Sequence, residues 1–498
     1  MSNFNFKVVQ SKVFSKISKI TVFCQIFCQK NQKNSIFWLW VLVLLMTGLR
    51  LWRLNFPQEF YFDEIYHVPA AQLMMENDER AYEWWHQAVK SVGGYYAHDW
   101  LHPPLFKLLQ AGSMKIFGLK SWAWRLPSVM AAALLTFATY WLIKNVWLMI
   151  GRSSLLAVGR KKKDLQQQAE KIAWLSSFLL SLNGLVFVQS RIAMNDIAVT
   201  LFIVLALGSY VQFVKEFLLT RKSKIKLKKI KKWLFWTGVF FGLGLATKWS
   251  AIFLWLPLLA SNLGLVMRKK SRQKNKHLLL FSLVVLLILP LVIYVLSYSQ
   301  MFLQGKNLKH FFQLHRQIIW YQTNRDSLHA YDSGPVQWLF NLRPVWYWQG
   351  SQLQPEQTAN IYLLDNIGLS WLALPSLLLT AATVVTVFQQ AVKPKKNKKK
   401  LKIFVVWLLM LGSYALLFLP WWLAPRIGFC YHYLPAIPLL MFFIAYFLLW
   451  LRSMSVWSFR FLLVIMILSF MVFYPHWIGL TVSKTWADAI YFSLSSWK

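Results

Sequence analysis

Eleven apolar runs of near-membrane length divide this chain of 498 residues. They lie near 36–52, 122–143, 172–189, 195–214, 233–248, 250–267, 278–298, 366–388, 403–420, 431–451 and 461–475. Roughly 20 apolar residues cross the hydrocarbon core as a helix, so several runs are short and depend on Trp and Tyr at their ends. The composition agrees, because 57% hydrophobic and 14% charged residues do not suit a soluble protein of this length. The pattern predicts an all-α integral membrane protein with about 11 transmembrane helices.

Basic residues are concentrated between these apolar runs. Five segments hold 35 of the 55 Lys and Arg residues: 1–35, 144–171, 215–232, 268–277 and 392–402. Basic loops beside spans mark the cytoplasmic side, because their translocation is disfavoured. A nucleic-acid surface would instead gather its charge on one folded face with aromatic residues between. The positions of the basic residues therefore explain the net charge of +38 as a mark of membrane orientation, and no nucleic-acid partner is expected. With these basic loops on the cytoplasmic side, the N-terminus is predicted inside and the C-terminus outside.

This topology divides the chain into three parts. Residues 1–35 form a basic cytoplasmic arm, 36–475 form the multi-span domain, and 476–498 form an outer tail. Two long loops then lie outside, at 53–121 and 299–365. The first holds eight of the 17 acidic residues, and the second is rich in Trp, Tyr and His. Polar chemistry is therefore expected on the outer face.

The first outer loop contains two motifs. The stretch "YFDEIYHVPAA" (61–71) places Asp63 and Glu64 side by side soon after the first apolar run. The stretch "HDWLHPPLFKLL" (98–109) contains His102 and two prolines, which suit the start of a helix with Lys107 one turn in. A solvated turn and an interfacial helix are the simpler interpretations of these two motifs.

Two further motifs place charges at the ends of apolar runs. "SRIAMNDIAV" (190–199) contains Arg191 and Asp196, and "GLATKWSAIF" (244–253) contains Lys248. Ionisable groups at membrane depth are costly and usually face a cavity or a partner. A salt-bridged helical hairpin and a snorkelling lysine are the alternatives to a functional role.

The last two motifs combine aromatic residues with cations. The second loop runs "RQIIWYQTNRDSLHAYDSGPVQWLFNLRPVWYW" (316–348) and includes His329 and Tyr331. The stretch "RIGFCYHYLPAIPLL" (426–440) includes Arg426 and His432. Aromatic rings can stack on a sugar and cations can hold a phosphate, although an aromatic-rich interfacial loop has the same composition.

Five of these six stretches, all but the one around Lys248, resemble in this order the protein O-mannosyltransferase family (dolichyl- or polyprenyl-phosphate-mannose–protein mannosyltransferases, glycosyltransferase family 39). The resemblance covers roughly residues 36–475 and implies the C-type glycosyltransferase fold. The absence of a long β-trefoil insertion in the outer loop suggests a bacterial member. The resemblance implies transfer of mannose from polyprenyl-phosphate-mannose to Ser or Thr hydroxyls of exported proteins, with inversion at the anomeric carbon. A plasma-membrane location, an active site on the outer face and association with the translocon would fit such acceptors.

One carboxylate suffices for this chemistry, because a polyprenyl phosphate is a good leaving group and needs no carboxylic acid to protonate it. We expect Asp63 to be the base and Glu64 to position the acceptor or order the loop. The candidate phosphate-binding cations are Arg191, Lys248, Arg426 and Lys107. The candidate residues for the sugar, the acceptor or loop order are His102, Asp196, His329, Tyr331 and His432. No carboxylate cluster indicates a metal, and no cofactor is expected, because the lipid-linked sugar is a substrate.

Three other interpretations are compatible with the sequence. A protein of the same fold could transfer a lipid-linked sugar to lipid A or another glycan. A transporter would more commonly show pseudo-symmetric halves. A membrane scaffold would leave the Asp63–Glu64 pair and the outer cations without a role.

Overall fold

The computed structural model describes residues 35–86, 88–151, 162–219, 224–267, 272–324, 329–392, 398–424 and 427–497. Most of these residues are helical. The helices up to residue 303 are α1 Ser35–Leu51, α2 Glu64–Met75, α3 Leu105–Phe117, α4 Ser121–Ile150, α5 Lys162–Leu182, α6 Gly184–Gln189, α7 Asp196–Leu219, α8 Lys224–Thr247, α9 Ile252–Met267, α10 Arg272–Leu283, α11 Leu289–Ser297 and α12 Ser299–Leu303. The later ones are α13 Leu308–Thr323, α14 Pro335–Leu339, α15 Ile367–Ser370, α16 Ala373–Val392, α17 Lys398–Phe418, α18 Ile437–Met454, α19 Val456–Trp477 and α20 Lys484–Trp486.

Each of the eleven apolar runs coincides with a helix or with consecutive helices, which confirms the mostly helical prediction. Within the described ranges, seven helical segments are long and apolar enough to cross a membrane: Ser121–Ile150, Asp196–Leu218, Lys276–Ser297, Ile367–Val392, Lys400–Trp422, Cys430–Met454 and Val456–Trp477. Two shorter apolar helices cover Ser35–Leu51 and Trp249–Asn262. The count of about 11 spans and the orientation stay predictions.

The long helices share one apolar core. Helix α7 packs against both α4 and α8, and α4 also packs against α5. Small residues allow this close approach: a Cβ added at Gly208 of α7 would overlap the ring of Trp141 on α4. Membrane helices commonly use small residues in this way, because dispersion contacts replace the hydrophobic effect between them.

The two long connecting segments, 53–121 and 299–365, contain structure that the all-α prediction did not include. Three antiparallel ribbons pair β1 (Val89–Ser91) with β2 (Gly94–Tyr96), β3 (Val345–Gln349) with β5 (Asn360–Leu363), and β4 (Gln357–Thr358) with β6 (Val482–Ser483). The third ribbon ties the second connecting segment to the C-terminal tail. A 3₁₀ helix, Cys430–Ala436, leads directly into α18.

The helix predicted to follow two prolines is present. Helix α3 begins at Leu105, directly after Pro104, and Lys107 lies in its first turn. A proline ring fixes φ near its helical value and has no N–H to leave unpaired, so it suits the start of a helix.

Candidate active site

A cavity of about 450 Å³ lies where the first connecting segment meets the start of α7, the end of α8 and the segment before α18. Its walls are formed by Phe62, Asp63, Tyr66, His67, Ala97, His98, Asp99, Trp100, Leu101, His102, Met194, Lys248, Tyr321, Gln322, His329, Ile427, Phe429, Tyr431 and His432. Five histidines, two carboxylates and one lysine therefore share a space with several aromatic rings. A cavity of this size is large enough for a sugar ring and a phosphate.

Asp63 is presented to this cavity by the start of α2. It occupies the N-cap position, yet its side chain makes no capping hydrogen bond. The preceding residue, Phe62, has φ of 49°, a region that residues other than glycine rarely adopt. Stacking against Tyr347, with 4.1 Å between ring centroids, holds Phe62 there. Backbone strain of this kind is concentrated at functional sites, so the turn supports Asp63 as a candidate functional residue.

The environment of Asp63 also tunes its acidity. Burial raises the pKa of the carboxyl to about 6, and the charges of His67 and Lys248 oppose the rise. A carboxyl with a pKa near 6 is ionised at neutral pH and is a stronger base than an ordinary aspartate. The side chain is therefore suited to accept a proton inside the cavity.

Lys248 places an ammonium group on the cavity wall. It follows the last residue of α8, and its Nζ lies 2.7 Å from Oδ1 of the buried Asp196 at the start of α7. The same Nζ lies 5.3 Å from the ring centroid of Tyr431. Asp196 itself is not among the wall residues, so it acts on the cavity through Lys248.

Asp99 is the centre of a buried polar network beside Asp63. Its carboxylate accepts a hydrogen bond from the backbone N of Leu101 at 2.9 Å, and Nδ1 of His102 lies 3.1 Å from both carboxylate oxygens. Nζ of Lys107 donates to Oδ2 at 3.1 Å and to the carbonyl of His102 at 2.9 Å. Burial alone would raise the pKa of Asp99, but His102 and Lys107 hold it well below its usual range.

The network around Asp99 includes two residues that the sequence predicted for the site, His102 and Lys107. Burial lowers the pKa of His102 to about 4, so its ring is neutral at neutral pH and faces the cavity. Lys107 is 1% exposed and lies outside the cavity wall, with its ammonium committed to Asp99 and His102. Its geometry supports ordering of the loop rather than the predicted contact with a lipid phosphate.

Glu64 is not among the wall residues of the cavity, and its carboxylate pairs with Arg125. Both of its oxygens accept hydrogen bonds of 2.8 Å from Arg125 of α4, and Oε1 also accepts one of 3.0 Å from the backbone N of Ala193. Arg125 further donates to the carbonyls of Leu54 and Pro57. Both charged side chains are fully buried. Of the two roles expected for Glu64, this geometry fits loop ordering and not contact with an acceptor.

Arg191 also lies away from the cavity wall. Its guanidinium donates to the main-chain carbonyls of Arg50, Trp52 and Arg53, the last two at 2.8 and 3.1 Å. The last carbonyls of a helix have no partner within the helix, so Arg191 caps the end of α1. The arrangement favours this structural role over the predicted phosphate contact, and Asp196 pairs with Lys248 rather than with Arg191.

The second connecting segment and the segment before α18 supply the other predicted residues. His329 and His432 both line the cavity. Tyr331 is not among the wall residues; its backbone N donates to Nδ1 of His329 at 3.1 Å, and its ring faces the guanidinium of Arg343 at 5.5 Å. Asp332 accepts a hydrogen bond of 2.7 Å from the backbone N of Gly428, which joins the two segments. Arg426 lies outside the described residues.

Several residues of the site were not predicted from the sequence. His67 and Asp99 occur inside the quoted motifs. The spacing of four residues between Asp63 and His67 places their side chains near each other on a helix and could have indicated His67 as a site residue. Arg125 had no signal, because a single arginine at the start of an apolar run resembles an interfacial anchor.

Family models and individual relatives point to the same class of protein. The model of dolichyl-phosphate-mannose-protein mannosyltransferases matches residues 163–303, and the model of the C-terminal four-TMM region of protein O-mannosyltransferases matches residues 307–497. A polyprenol-phosphate-mannose–protein mannosyltransferase of Corynebacterium glutamicum is 24% identical over an alignment of 370 residues that covers 64% of this chain and 66% of the relative. The chain thus spans slightly less than two thirds of that protein.

Two eukaryotic proteins extend the comparison. Protein O-mannosyl-transferase 1 of Rattus norvegicus is 34% identical over 120 residues, covering 23% of this chain and 15% of the relative. The solved S. cerevisiae protein O-mannosyltransferase Pmt1–Pmt2 complex, bound to the sugar donor, superimposes with a TM-score of 0.69 at 14% identity and covers 91% of each chain. This likeness shows the C-type glycosyltransferase fold. With two family models matching consecutive segments, the chain belongs to the protein O-mannosyltransferase family.

Proposed function

We propose that this protein is a glycosyltransferase that moves mannose from polyprenyl-phosphate-mannose to a Ser or Thr hydroxyl of exported proteins, with inversion at the anomeric carbon. One observation carries the proposal: the Asp63 carboxylate and the Lys248 ammonium face one cavity with aromatic walls. The names of its relatives support the donor and the protein acceptor.

The two charged groups suit the two ends of a single displacement. Asp63 takes the proton of the acceptor hydroxyl as its oxygen attacks the anomeric carbon. The bond from that carbon to the phosphate oxygen breaks on the opposite face, and the polyprenyl phosphate leaves with the electron pair. Lys248 stabilises the charge that develops on the phosphate, as a point charge in a site of low dielectric.

Aromatic rings provide the surface for the sugar. Phe62, Phe429 and Tyr431 lie on the cavity wall, and the last two stack with 5.3 Å between their centroids. His329 and His432 add polar ring atoms on the same side. The multi-span fold supports a membrane location, and we propose the plasma membrane with the cavity on its outer face.

The test is transfer by the purified protein in lipid nanodiscs. A synthetic polyprenyl-phosphate-mannose and a Thr-rich peptide should give a peptide heavier by one hexose, and NMR should show an anomeric configuration opposite to that of the donor. An Ala-for-Thr peptide is the control acceptor, and extracted membrane glycolipid serves as the competing one. Transfer to the glycolipid but not to the peptide would replace this proposal with the same-fold alternative.

A further inference from the structure

A group of potential metal ligands lies on the wall of the cavity. Nδ1 of His67, a carboxylate oxygen of Asp99 and Nδ1 of His102 all lie within 4.8 Å of one another. His67 comes from α2, whereas Asp99 and His102 come from the loop before α3. The backbone N of Asp99 donates to the carbonyl of Tyr66 at 2.9 Å, which fixes the loop against α2.

The distances are close to those of ligands that share one ion. Oδ2 of Asp99 lies 3.0 Å from Nδ1 of His67 and 3.1 Å from Nδ1 of His102. Two ligand atoms at about 2.1 Å from a tetrahedral Zn²⁺ ion are about 3.4 Å apart. Modest side-chain rotation would therefore convert the cluster into a coordination site.

His67 provides a second, independent observation. Its side chain is 6% exposed, and Nδ1 has no hydrogen-bond partner among the described residues, although Oδ2 of Asp99 lies 3.0 Å away. The ring nitrogen is near the oxygen without pointing at it. Ligands of a common ion have this relationship, since their lone pairs converge on a point between them and not on each other.

We propose that His67, Asp99 and His102 bind a divalent transition-metal ion of the Zn²⁺ class. Two imidazoles and one carboxylate are a typical set for this ion, and three protein ligands leave a position for an oxygen from the cavity. Mg²⁺ prefers an all-oxygen octahedral set, so it is not expected to bind.

Lys107 is compatible with this site because it is held mainly by the main chain. Its ammonium donates to the carbonyls of Asp99 and His102 as well as to Oδ2. Outer-shell donors of this kind fix the orientation of ligating side chains. Asp63 on the same cavity wall adds negative charge that offsets the lysine. The metal site does not rest on the proposed function, since binding can be measured without transfer.

The experiment measures binding on the full chain, purified in detergent without a polyhistidine tag. Cys24→Ser and Cys28→Ser remove two thiols of the N-terminal arm that would compete with the proposed site for the ion. After dialysis against EDTA, Co²⁺ is titrated and followed by its visible absorption, and Zn²⁺ stoichiometry is measured by equilibrium dialysis. We expect one ion per chain, and His67→Gln and His102→Gln should each weaken binding by at least about 10- to 100-fold, the usual cost of losing even an outer-shell partner.

His329→Gln is the matched control, since it removes a histidine of the same cavity that is outside the cluster. It should bind Co²⁺ like the parent protein. Saturating Zn²⁺ should also raise the Tm of the parent protein but not of His67→Gln, because an ion that binds only the folded state stabilises it. Absence of binding in the parent protein, equal affinity in His67→Gln, or equal loss in His329→Gln would each overturn the proposal.

Discussion

Nζ of Lys248 lies 2.7 Å from Oδ1 of Asp196, a residue 52 positions earlier in the chain. The lysine side chain is 11% exposed and the aspartate 3%, so the aspartate is buried behind the lysine at the edge of the cavity. The ion pair holds the ammonium of Lys248 at the cavity wall, where we propose that the leaving phosphate binds. Asp196, expected to contact the sugar or the acceptor or to order a loop, pairs with Lys248 in this structure, and we propose that it orients the lysine.

Lys248→Gln should lower turnover by about 10²–10³-fold, which is the usual effect of removing one donor that stabilises transition-state charge. The KM for the acceptor peptide should change little, because the ammonium is assigned to the phosphate. Steady-state transfer assays at saturating donor measure both quantities. Lys144→Gln is the control, since Lys144 also forms a partly buried ion pair, at 2.9 Å from Glu170, away from the cavity. Unchanged turnover in Lys248→Gln would remove the lysine from the mechanism.

Glu64→Gln should reduce stability more than it reduces acceptor affinity. It leaves the buried guanidinium of Arg125 without its counter-charge, and breaking such a pair typically costs about 3–5 kcal/mol. Thermal unfolding of the purified variant gives the loss in Tm, and peptide titration gives the acceptor KM. The exposed pair of Arg80 and Asp78 supplies the control, because Asp78→Asn should change Tm little. A stable Glu64→Gln protein with a raised KM would restore the role in acceptor binding.

The apolar runs were enough to predict the long helices, and two consecutive prolines predicted the start of α3. The quoted motifs predicted five wall residues of the cavity: Asp63, His102, Lys248, His329 and His432. The partners of the buried charges could not be predicted. Glu64 and Arg125 are 61 residues apart, and no local pattern links them. Burial requires each charge to find a partner, but the packing of α2 against α3 and of α3 against α4 decides which one.

Arg191 illustrates the same limit in a different way. Its proximity in sequence to Asp196 suggested a salt bridge, and its position at a span end suggested a phosphate ligand. The carbonyls at the end of α1 are also acceptors that need donors, and the fold brings them to the guanidinium. Sequence motifs identify charged residues at a membrane face, but not the unpaired main-chain groups that compete for them.

Arg191→Ala should therefore lower the stability of the protein while changing its affinity for the lipid donor little. Each charged hydrogen bond lost to a buried carbonyl costs on the order of 1.5–3 kcal/mol, so the Tm should fall clearly. In molecules that remain folded, the KM for the lipid donor should be close to that of the parent protein. Thermal unfolding and donor titration on the same preparation separate the two effects, with the exposed Arg80→Ala as control. A normal Tm together with a strongly raised donor KM would identify Arg191 as a phosphate ligand.

The predicted topology can be tested independently of activity. Single cysteines at Trp85 in the first connecting segment and at Ile225 in a basic block are expected on opposite sides of the membrane. Trp85 is 50% exposed, so Trp85→Cys should react with an impermeant maleimide in intact cells, whereas Ile225→Cys should react only after permeabilisation. Cys24, Cys28 and Cys430 are replaced by Ser beforehand. Labelling of Ile225→Cys in intact cells would reverse the predicted membrane orientation and place the cavity on the cytoplasmic side.

Asp63→Asn is the sharpest test of the mechanism. The amide keeps the size of the side chain but cannot accept the proton of the hydroxyl, and general-base assistance is typically worth about 10²–10⁴-fold in rate. Donor binding should be nearly unchanged, which isothermal titration with the lipid donor can measure. His86→Gln is the control for transfer, because the exposed ring of His86 contacts Glu83 at 2.8 Å and does not line the cavity.

The pH dependence gives the second part of that test. The pKa of Asp63 in the folded protein is about 6, above the ordinary aspartate value of 3.8, so transfer by the parent protein should fall as the pH is lowered through about 6. The free energy of unfolding depends on pH in the opposite direction. Because the carboxyl binds its proton more tightly in the folded protein than in the unfolded chain, this group favours the folded state at low pH. That contribution is lost as the pH rises towards 6. Asp63→Asn should then be at least as stable as the parent protein at pH 7, while its residual transfer loses the inflection near 6. An unchanged inflection, or turnover close to normal, would show that another group is the base.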